Sequence, residues 1–233
     1  SPSVTLNIAK DDELLVLLRE ARFKFLLVGI ETPDEGALKA ALKPQNTGYS
    51  ITEAVDRIYR IAGATVHSGF LIGLDDEPDD IGRQITTCID ETSIPWVMAG
   101  VVYPLPGTQL ARRLDREGRL FPRARKFDDE RVRDQISAGI QFRPKRPALN
   151  VLDDLITVLH HSFDPARYFA RCAQVALRLN TVPNLLLGWR VFFRNVRTFF
   201  RLCWRMTRSR ETRRPFWRAF WSVVTKNRVG LEA

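Results

Sequence analysis

The 233-residue chain is 45% hydrophobic and 27% charged, an ordinary globular mix that excludes a disordered tail or a fibre. It has no run of about 18 apolar residues, as a spanning helix would need, and residues 1–10 lack the basic start and apolar run of a signal peptide. Cys88, Cys172 and Cys203 are too few and too far apart for a disulfide framework or a Cys-x-x-Cys metal site, so an intracellular protein with reduced thiols is expected. The net charge of +9 is uneven. Residues 1–120 carry 13 Lys and Arg against 18 Asp and Glu, net −5, whereas residues 121–233 carry 23 against 9, net +14. The two halves are expected to do different jobs.

The first half alternates strands and helices. Val4–Ile8 alternates apolar and polar residues and predicts a short strand. Asp11–Ala21 reads as a helix with acids at its start and Leu14, Leu15, Leu17, Leu18 and Ala21 on its apolar face. Phe25–Ile30 is nearly all apolar, as expected of a parallel strand buried on both faces. Ser50 and Glu53 form a capping box for a helix over Ile51–Ala62, which Gly63 ends. A strand over Thr65–Ile72, a helix over Asp79–Glu91, a strand over Trp96–Tyr103 and a helix over Thr108–Glu117 follow, the last stopped by Gly118. Helical crossovers between strands imply a parallel sheet or barrel section. Its ligand site should lie beyond the C-terminal ends of the strands.

The residues that close each strand are Gly29–Pro33, Gly69–Glu77 and Tyr103–Thr108, all rich in glycine, proline or carboxylates. Glycine lets a backbone approach a ligand closely, and a strand-end carboxylate can accept ribose hydroxyls or an amino group. The segments GIETPDEGALK with QN after it, GFLIGLDDE, and YPLPGTQLARRLDREGRL occur in that order. Together they resemble the second half of a radical S-adenosylmethionine (SAM) barrel. The likeness is greatest to the cobalamin-dependent subgroup that contains hopanoid methylases and related lipid- or tetrapyrrole-modifying enzymes, and it covers roughly residues 1–180. The resemblance implies an α/β fold: a partial parallel (β/α) barrel, strands three to six of a radical SAM barrel, over residues 1–120. A connector over 121–149 and a basic helical extension over 150–233 would follow.

The resemblance also implies a site. The family's fifth-strand motif, Gly-x-Ile-x-Gly-x-x-Glu, falls on Gly69, Leu71 in place of the Ile, Gly73, and Asp76 in place of the Glu, with Glu77 next door. Glu31, Gly69, Leu71, Gly73, Val101, Val102 and Tyr103 would bind the adenosine side of SAM. The parent enzyme would cleave SAM at a four-iron, four-sulfur cluster. A 5′-deoxyadenosyl radical would then take hydrogen from an apolar, lipid- or tetrapyrrole-like substrate, for methylation or another rearrangement. Cobalamin is a further cofactor implied for the parent.

This sequence departs from the family by lacking the Cys-x-x-x-Cys-x-x-Cys loop, the first two strands and the preceding cobalamin domain. Truncation is the simplest account, with the N-terminal half of the same polypeptide as the missing partner. The chain alone is then expected to be inactive and to bind SAM weakly or not at all. Four strands are too few to close a barrel, so an open half-barrel with an apolar flank exposed beside its first strand is expected.

Several residues also have plainer roles. Glu31 could serve as a helix N-terminal carboxylate. His67 shares strand parity with Gly69 and Leu71 and reads as a satisfied core histidine. Cys88 reads as a small core residue, and His160 and His161 as C-terminal charge complements or solvent-facing residues. The acids at 75–80 lack the glycine and spacing of a calcium loop and read as a strand-to-helix turn.

In the second half a helix is expected near Asp128–Ala138, then one capped by Asn150 over Val151–His161, then one opened by Asp164–Pro165 and running to Leu179. A long helix over Pro183–Met206 carries Arg190, Arg194, Arg197, Arg201 and Arg205, with Arg208 beyond them, on one face. Trp189, Phe193, Val196, Phe200 and Cys203 are assigned to the opposite face, and a final helix runs over Pro215–Lys226. From Arg167 to Arg228 there are 15 basic residues and one acid, Glu211. Such a stretch fits an anionic membrane surface, a packed extension, or nucleic acid. The membrane is preferred, which would make the protein cytoplasmic and peripheral on the inner face of the membrane. The competing class for the whole chain is a non-catalytic basic membrane-surface or nucleic-acid module.

Overall fold

Short apolar strands and amphipathic helices alternate through the first half of the computed structural model, which describes residues 2–40, 50–122, 139–180 and 189–227. Strands β1 (Ser3–Thr5), β2 (Phe25–Glu31), β3 (Thr65–Ile72) and β4 (Trp96–Val101) pair in chain order, all parallel. The crossovers hold α1 (Asp12–Glu20), α2 (Glu35–Ala40), α3 (Ile51–Arg57, continued by a π turn over Ile58–Ala62) and α4 (Ile81–Thr92). After β4 come α5 (Gln109–Arg116), α6 (Ala148–Phe163), α7 (Pro165–Arg178), α8 (Trp189–Arg208) and α9 (Arg210–Lys226). Among the described residues no strand pairs with the outer edge of β1 or β4, so the sheet is open, as a section of parallel barrel would be.

Local chemistry sets the boundaries. The side chains of Asp11, Ser50, Thr108 and Asp164 accept from the backbone N–H of Leu14, Glu53, Ala111 and Arg167, satisfying first-turn donors. Gly63 and Gly118 end α3 and α5 at φ of 62° and 68°.

Six expectations change. The Val4–Ile8 strand stops at Thr5, and Leu6–Lys10 forms a 3₁₀ turn that eclipses Leu6 with Ala9 and buries both. β2 is buried on one face only, through Leu26, Val28 and Ile30. On α1 only Leu15 is fully buried, while Leu14 and Leu17 are exposed. Asn150 does not cap α6, which starts two residues earlier after Pro147. α9 starts at Arg210 with Pro215 inside it, where the missing N–H forfeits one bond near the helix start. The exposed edge β1 is three residues long and begins and ends in Ser3 and Thr5. The exposed apolar side chains Phe25, Trp96 and Met98 instead lie on the sheet's open face. The helix expected near Asp128–Ala138 and the start at Pro183 lie outside the described residues.

One core fills the covered face of the sheet. Leu26, Val28, Phe70, Ile72 and Val97 meet Leu15, Val55, Ile58, Ile85 and Ile89 there, together with Val151, Val158 and Val175 from α6 and α7. The first two helices of the basic half therefore share the sheet's core. Buried Arg171 fastens α7 to the sheet: its Nε donates to the Ile94 carbonyl at 2.9 Å and its Nη2 to the Ser162 carbonyl. α9 packs on α7 through Phe169 and Phe216, whose ring centroids are 5.6 Å apart. Phe199 and Phe220, 5.7 Å apart, join α8 to α9.

Candidate functional site

Strand alternation puts Phe25, Leu27, Gly29 and Glu31 of β2 on the open face, with His67, Gly69 and Leu71 of β3 and Trp96, Met98 and Gly100 of β4. Register sorts them into rows. Leu27, His67 and Trp96 lie side by side, as do Gly29, Gly69 and Met98, and Leu71 lies beside Gly100. At the N-terminal end His67 sits between Phe25 and Trp96, at 5.0 and 5.7 Å between ring centroids. It is half-buried on the open face and not enclosed in the core, and burial lowers its pKa.

Toward the C-terminal end the open face is paved with glycine. A Cβ on Gly69 or Gly100 would meet nothing within 4 Å, and one on Gly29 would lie 3.2 Å from Glu31 Oε1. The ladder shifts register between Gly29 and Glu31, and Glu31 adopts a φ of 70°. A left-handed non-glycine residue is strained and is common at functional sites.

Above this floor lies a cavity of about 720 Å³, within the range of small-molecule sites. Glu31, Gly69, Leu71, Gly73, Val101, Val102 and Tyr103 all line it. Leu74, Asp75, Leu105 and Thr108, from the strand-closing segments, line it too, and Met98, Gln109, Leu110, Arg113 and Phe142 join them with no sequence signal. Leu74, Met98, Leu105, Leu110 and Phe142 make one side apolar, and Asp75, Thr108, Gln109 and Arg113 make another polar. Gly100 was detectable from its strand parity. Arg113 and Phe142 come from elements distant in sequence, which carry no local signal.

The polar wall is fixed. Asp75 accepts from Arg119 at 2.7 and 3.0 Å and from Arg113 at 2.8 Å. Burial alone would raise the Asp75 pKa, but Arg119 and Arg113 outweigh it and hold the carboxyl below the usual range. Arg119 also lies over the Phe142 ring, 5.8 Å from its centroid. Glu77, not Asp76, is the carboxylate that folds back on the strand end. It accepts from the Gly73 and Leu74 N–H groups, each at 2.9 Å, and pairs with Arg146 at 3.4 Å. Burial nevertheless pushes its pKa up. Asp76, at a φ of 65°, instead reaches Lys145 at 2.8 Å. Gly73 has a φ of +94°, and a Cβ there would press on Val151 Cγ1 at 3.3 Å.

The remaining sequence candidates lie apart from the cavity. Cys88 is buried in α4, its thiol pushed up to about 12 by burial. His161 pairs with Asp90 at 2.9 Å. Among the described residues no three His, Cys, Asp or Glu side chains come together to hold a metal, and the three cysteines are free. These residues therefore offer no ligand set for an iron–sulfur cluster, whereas the glycine floor and Glu31 suit a flat ring bearing hydroxyl or amino groups.

Residues 108–233 match a family described as a domain of unknown function, DUF4070. The chain is 29% identical over 236 residues to an uncharacterized methyltransferase of Synechocystis sp., across 98% of this chain and 41% of that protein. It is 45% identical over 116 residues to a hopanoid C-2 methylase of Rhodopseudomonas palustris, across 50% of this chain and 22% of that protein. It thus spans less than half the length of either relative.

Proposed function

The chain belongs to the DUF4070 family, and from that premise we propose that the protein containing it is a methyltransferase that takes its methyl group from SAM. The strand-end cavity holds the adenosine, and the apolar wall receives a lipid- or tetrapyrrole-like substrate. One observation carries this reading: seven residues from three strand ends converge on one cavity with an open glycine floor. The names of both relatives support methyl transfer.

Each residue then has a task. Gly69 and Gly100 let the ring lie against strand backbone. Glu31 accepts hydroxyl or amino hydrogens, and its strained backbone fixes where the carboxylate stands. Val101, Val102 and Tyr103 close one edge. Asp75 is saturated by arginines and keeps the rim rigid, while Glu77 ties down the β3 loop. Leu71, Leu74, Leu110 and Phe142 exclude water beside the reacting carbon.

The finer proposal is radical SAM chemistry, with cobalamin as a further cofactor. A bound four-iron, four-sulfur cluster would supply the electron that activates SAM. Its ligands would have to come from other parts of the protein. A non-catalytic basic module, the competing class, accounts for α8 and α9 but not for the cavity.

The test is transfer of label from methyl-labelled SAM to an apolar lipid extract by the full-length polypeptide, wild type against Gly69→Val. Valine would project into the open floor without touching the core. We expect label with the wild type and about a tenfold or greater loss in the variant, with an unchanged unfolding midpoint. Equal transfer by both proteins would remove the cavity from the reaction. Absence of transfer by the wild type would remove the methyltransferase.

A further inference from the structure

Helix α8 divides into three stripes. At about 100° per residue, Val196, Phe199, Cys203 and Met206 form the seam toward α9, where Phe199 meets Phe220 and Thr207 accepts from Trp217 Nε1 at 3.0 Å. The arginines form a second stripe, with Arg194, Arg197, Arg201, Arg205 and Arg208 all exposed. The side chain of Arg190 lies outside the described residues. Between the two stripes runs a ridge of Trp189, Phe193, Phe200 and Trp204, with exposures of 77%, 62%, 67% and 64%. The ridge centres about 90° from the arginines, beside them and not opposite as the sequence pattern suggested. Trp189 and Phe193 touch each other along it, and the Arg208 guanidinium stands 5.4 Å over Trp204.

We infer that this ridge is a membrane-docking surface for an anionic phospholipid bilayer. Large exposed rings lined up on one helix are uncommon on a soluble surface and mark an interaction site. Tryptophan and phenylalanine with flanking arginine is the chemistry of a helix lying in the headgroup plane. Charge chooses the occupant. The stretch from Arg190 to Lys226 holds 11 basic residues and one acid, so it attracts anionic lipid and repels a second copy of itself. A nucleic-acid surface needs its arginines at the centre of contact, whereas here the rings stand beside them. No described helix is long and apolar enough to cross a membrane, so the docking is peripheral. The inference goes beyond the methyltransferase reading and does not depend on it.

The experiment is co-sedimentation of the 233-residue chain, and of the full-length polypeptide, with vesicles of phosphatidylcholine alone or mixed with phosphatidylglycerol. Both proteins should bind the anionic vesicles, and binding should weaken as salt rises. Arg197→Glu with Arg201→Glu, and separately Phe200→Ser with Trp204→Ser, should each lower the partition coefficient by about tenfold or more. Circular dichroism should stay unchanged in both variants. Brominated lipid should quench tryptophan fluorescence in the bound wild type. The inference fails if vesicles are ignored while a random DNA duplex is bound. It fails if the Phe200→Ser and Trp204→Ser pair binds like the wild type. It also fails if the chain binds but the full-length polypeptide does not, because the ridge is then covered by the rest of the protein.

Discussion

Helices α4 and α8 are both amphipathic, yet their apolar residues end in opposite places. α4 presents Ile81, Ile85, Cys88 and Ile89 to the sheet, and all four are buried. α8 presents Trp189, Phe193, Phe200 and Trp204 to solvent. Compact aliphatics on α4 interlock with a strand surface and with α6, and Gly82 lets α6 approach closely. Aromatic rings beside arginines on α8 leave a seam for α9 and a ridge that the described residues do not cover. Amphipathicity therefore says that a helix has an apolar face, but not what meets it. The covering is decided by whether a complementary surface of the right shape exists in the same chain.

The largest expected effect tests the tight half of that contrast. A Cβ on Gly82 would fall 2.5 Å from Asp154 Oδ1 and 3.2 Å from its Cα. Asp154 is itself held by Arg146 at 2.7 Å. Gly82→Val should therefore force α4 and α6 apart and cost about 3 kcal/mol, read as a lowered midpoint in urea unfolding. A neutral substitution would mean that the α4–α6 seam is as loosely made as the α8 ridge.

What the sequence discloses follows the range of the interaction. β2, β3 and β4 were legible as strands because short runs rich in apolar and β-branched residues mark them, although the run in β2 wrongly implied burial on both faces. The caps at Ser50 and Asp164 were legible because a cap is a three-residue event, whereas Thr108 was read as a helix residue and is the cap. The strand-end position of the cavity followed from the fold class. Less local features were hidden. Leu6 looked like a strand residue because alternation and a 3₁₀ turn agree over so few positions. Asp76 and Glu77 could not be told apart, since the left-handed backbone at Asp76 decides which carboxylate turns inward. Arg113 and Arg119 lie 38 and 44 residues from Asp75, and no spacing rule links them. The α8 ridge was placed about 90° wrong because its rings were grouped with Val196 and Cys203, which lie farther round the helix in the seam with α9.

The next effect concerns the rim of the cavity. Asp75→Asn removes the charge that two arginines share and should cost about 2 kcal/mol at neutral pH. The sign of the pH dependence follows from the lowered folded pKa. Asp75's contribution is whole above the unfolded value near pH 3.9 and is lost as pH falls through the lower folded value. Glu77 acts in the opposite direction. Its raised folded pKa favours the fold increasingly as pH falls from that value toward the ordinary carboxylate range. Urea midpoints measured down the acid limb should therefore fall more steeply for the wild type than for Asp75→Asn. Parallel limbs would show that the guanidinium pairs do not persist in solution.

The smallest effect tests the open half of the contrast. Phe200 is 67% exposed, whereas Phe216 on α9 is 8% exposed and packed on Phe169. Truncating Phe200 to alanine removes contacts with solvent and with the ring of Phe199, 6.0 Å away between centroids. It opens no cavity. Its cost to the folded chain should stay under about 0.5 kcal/mol, the range of ordinary surface substitutions. Urea unfolding of Phe200→Ala should overlay the wild type within error, even though vesicle binding is expected to depend on the same ring. Stability and binding should therefore separate at this position. A loss of several kcal/mol would place the ring in a buried seam and make α8 a packed extension of the same kind as α4.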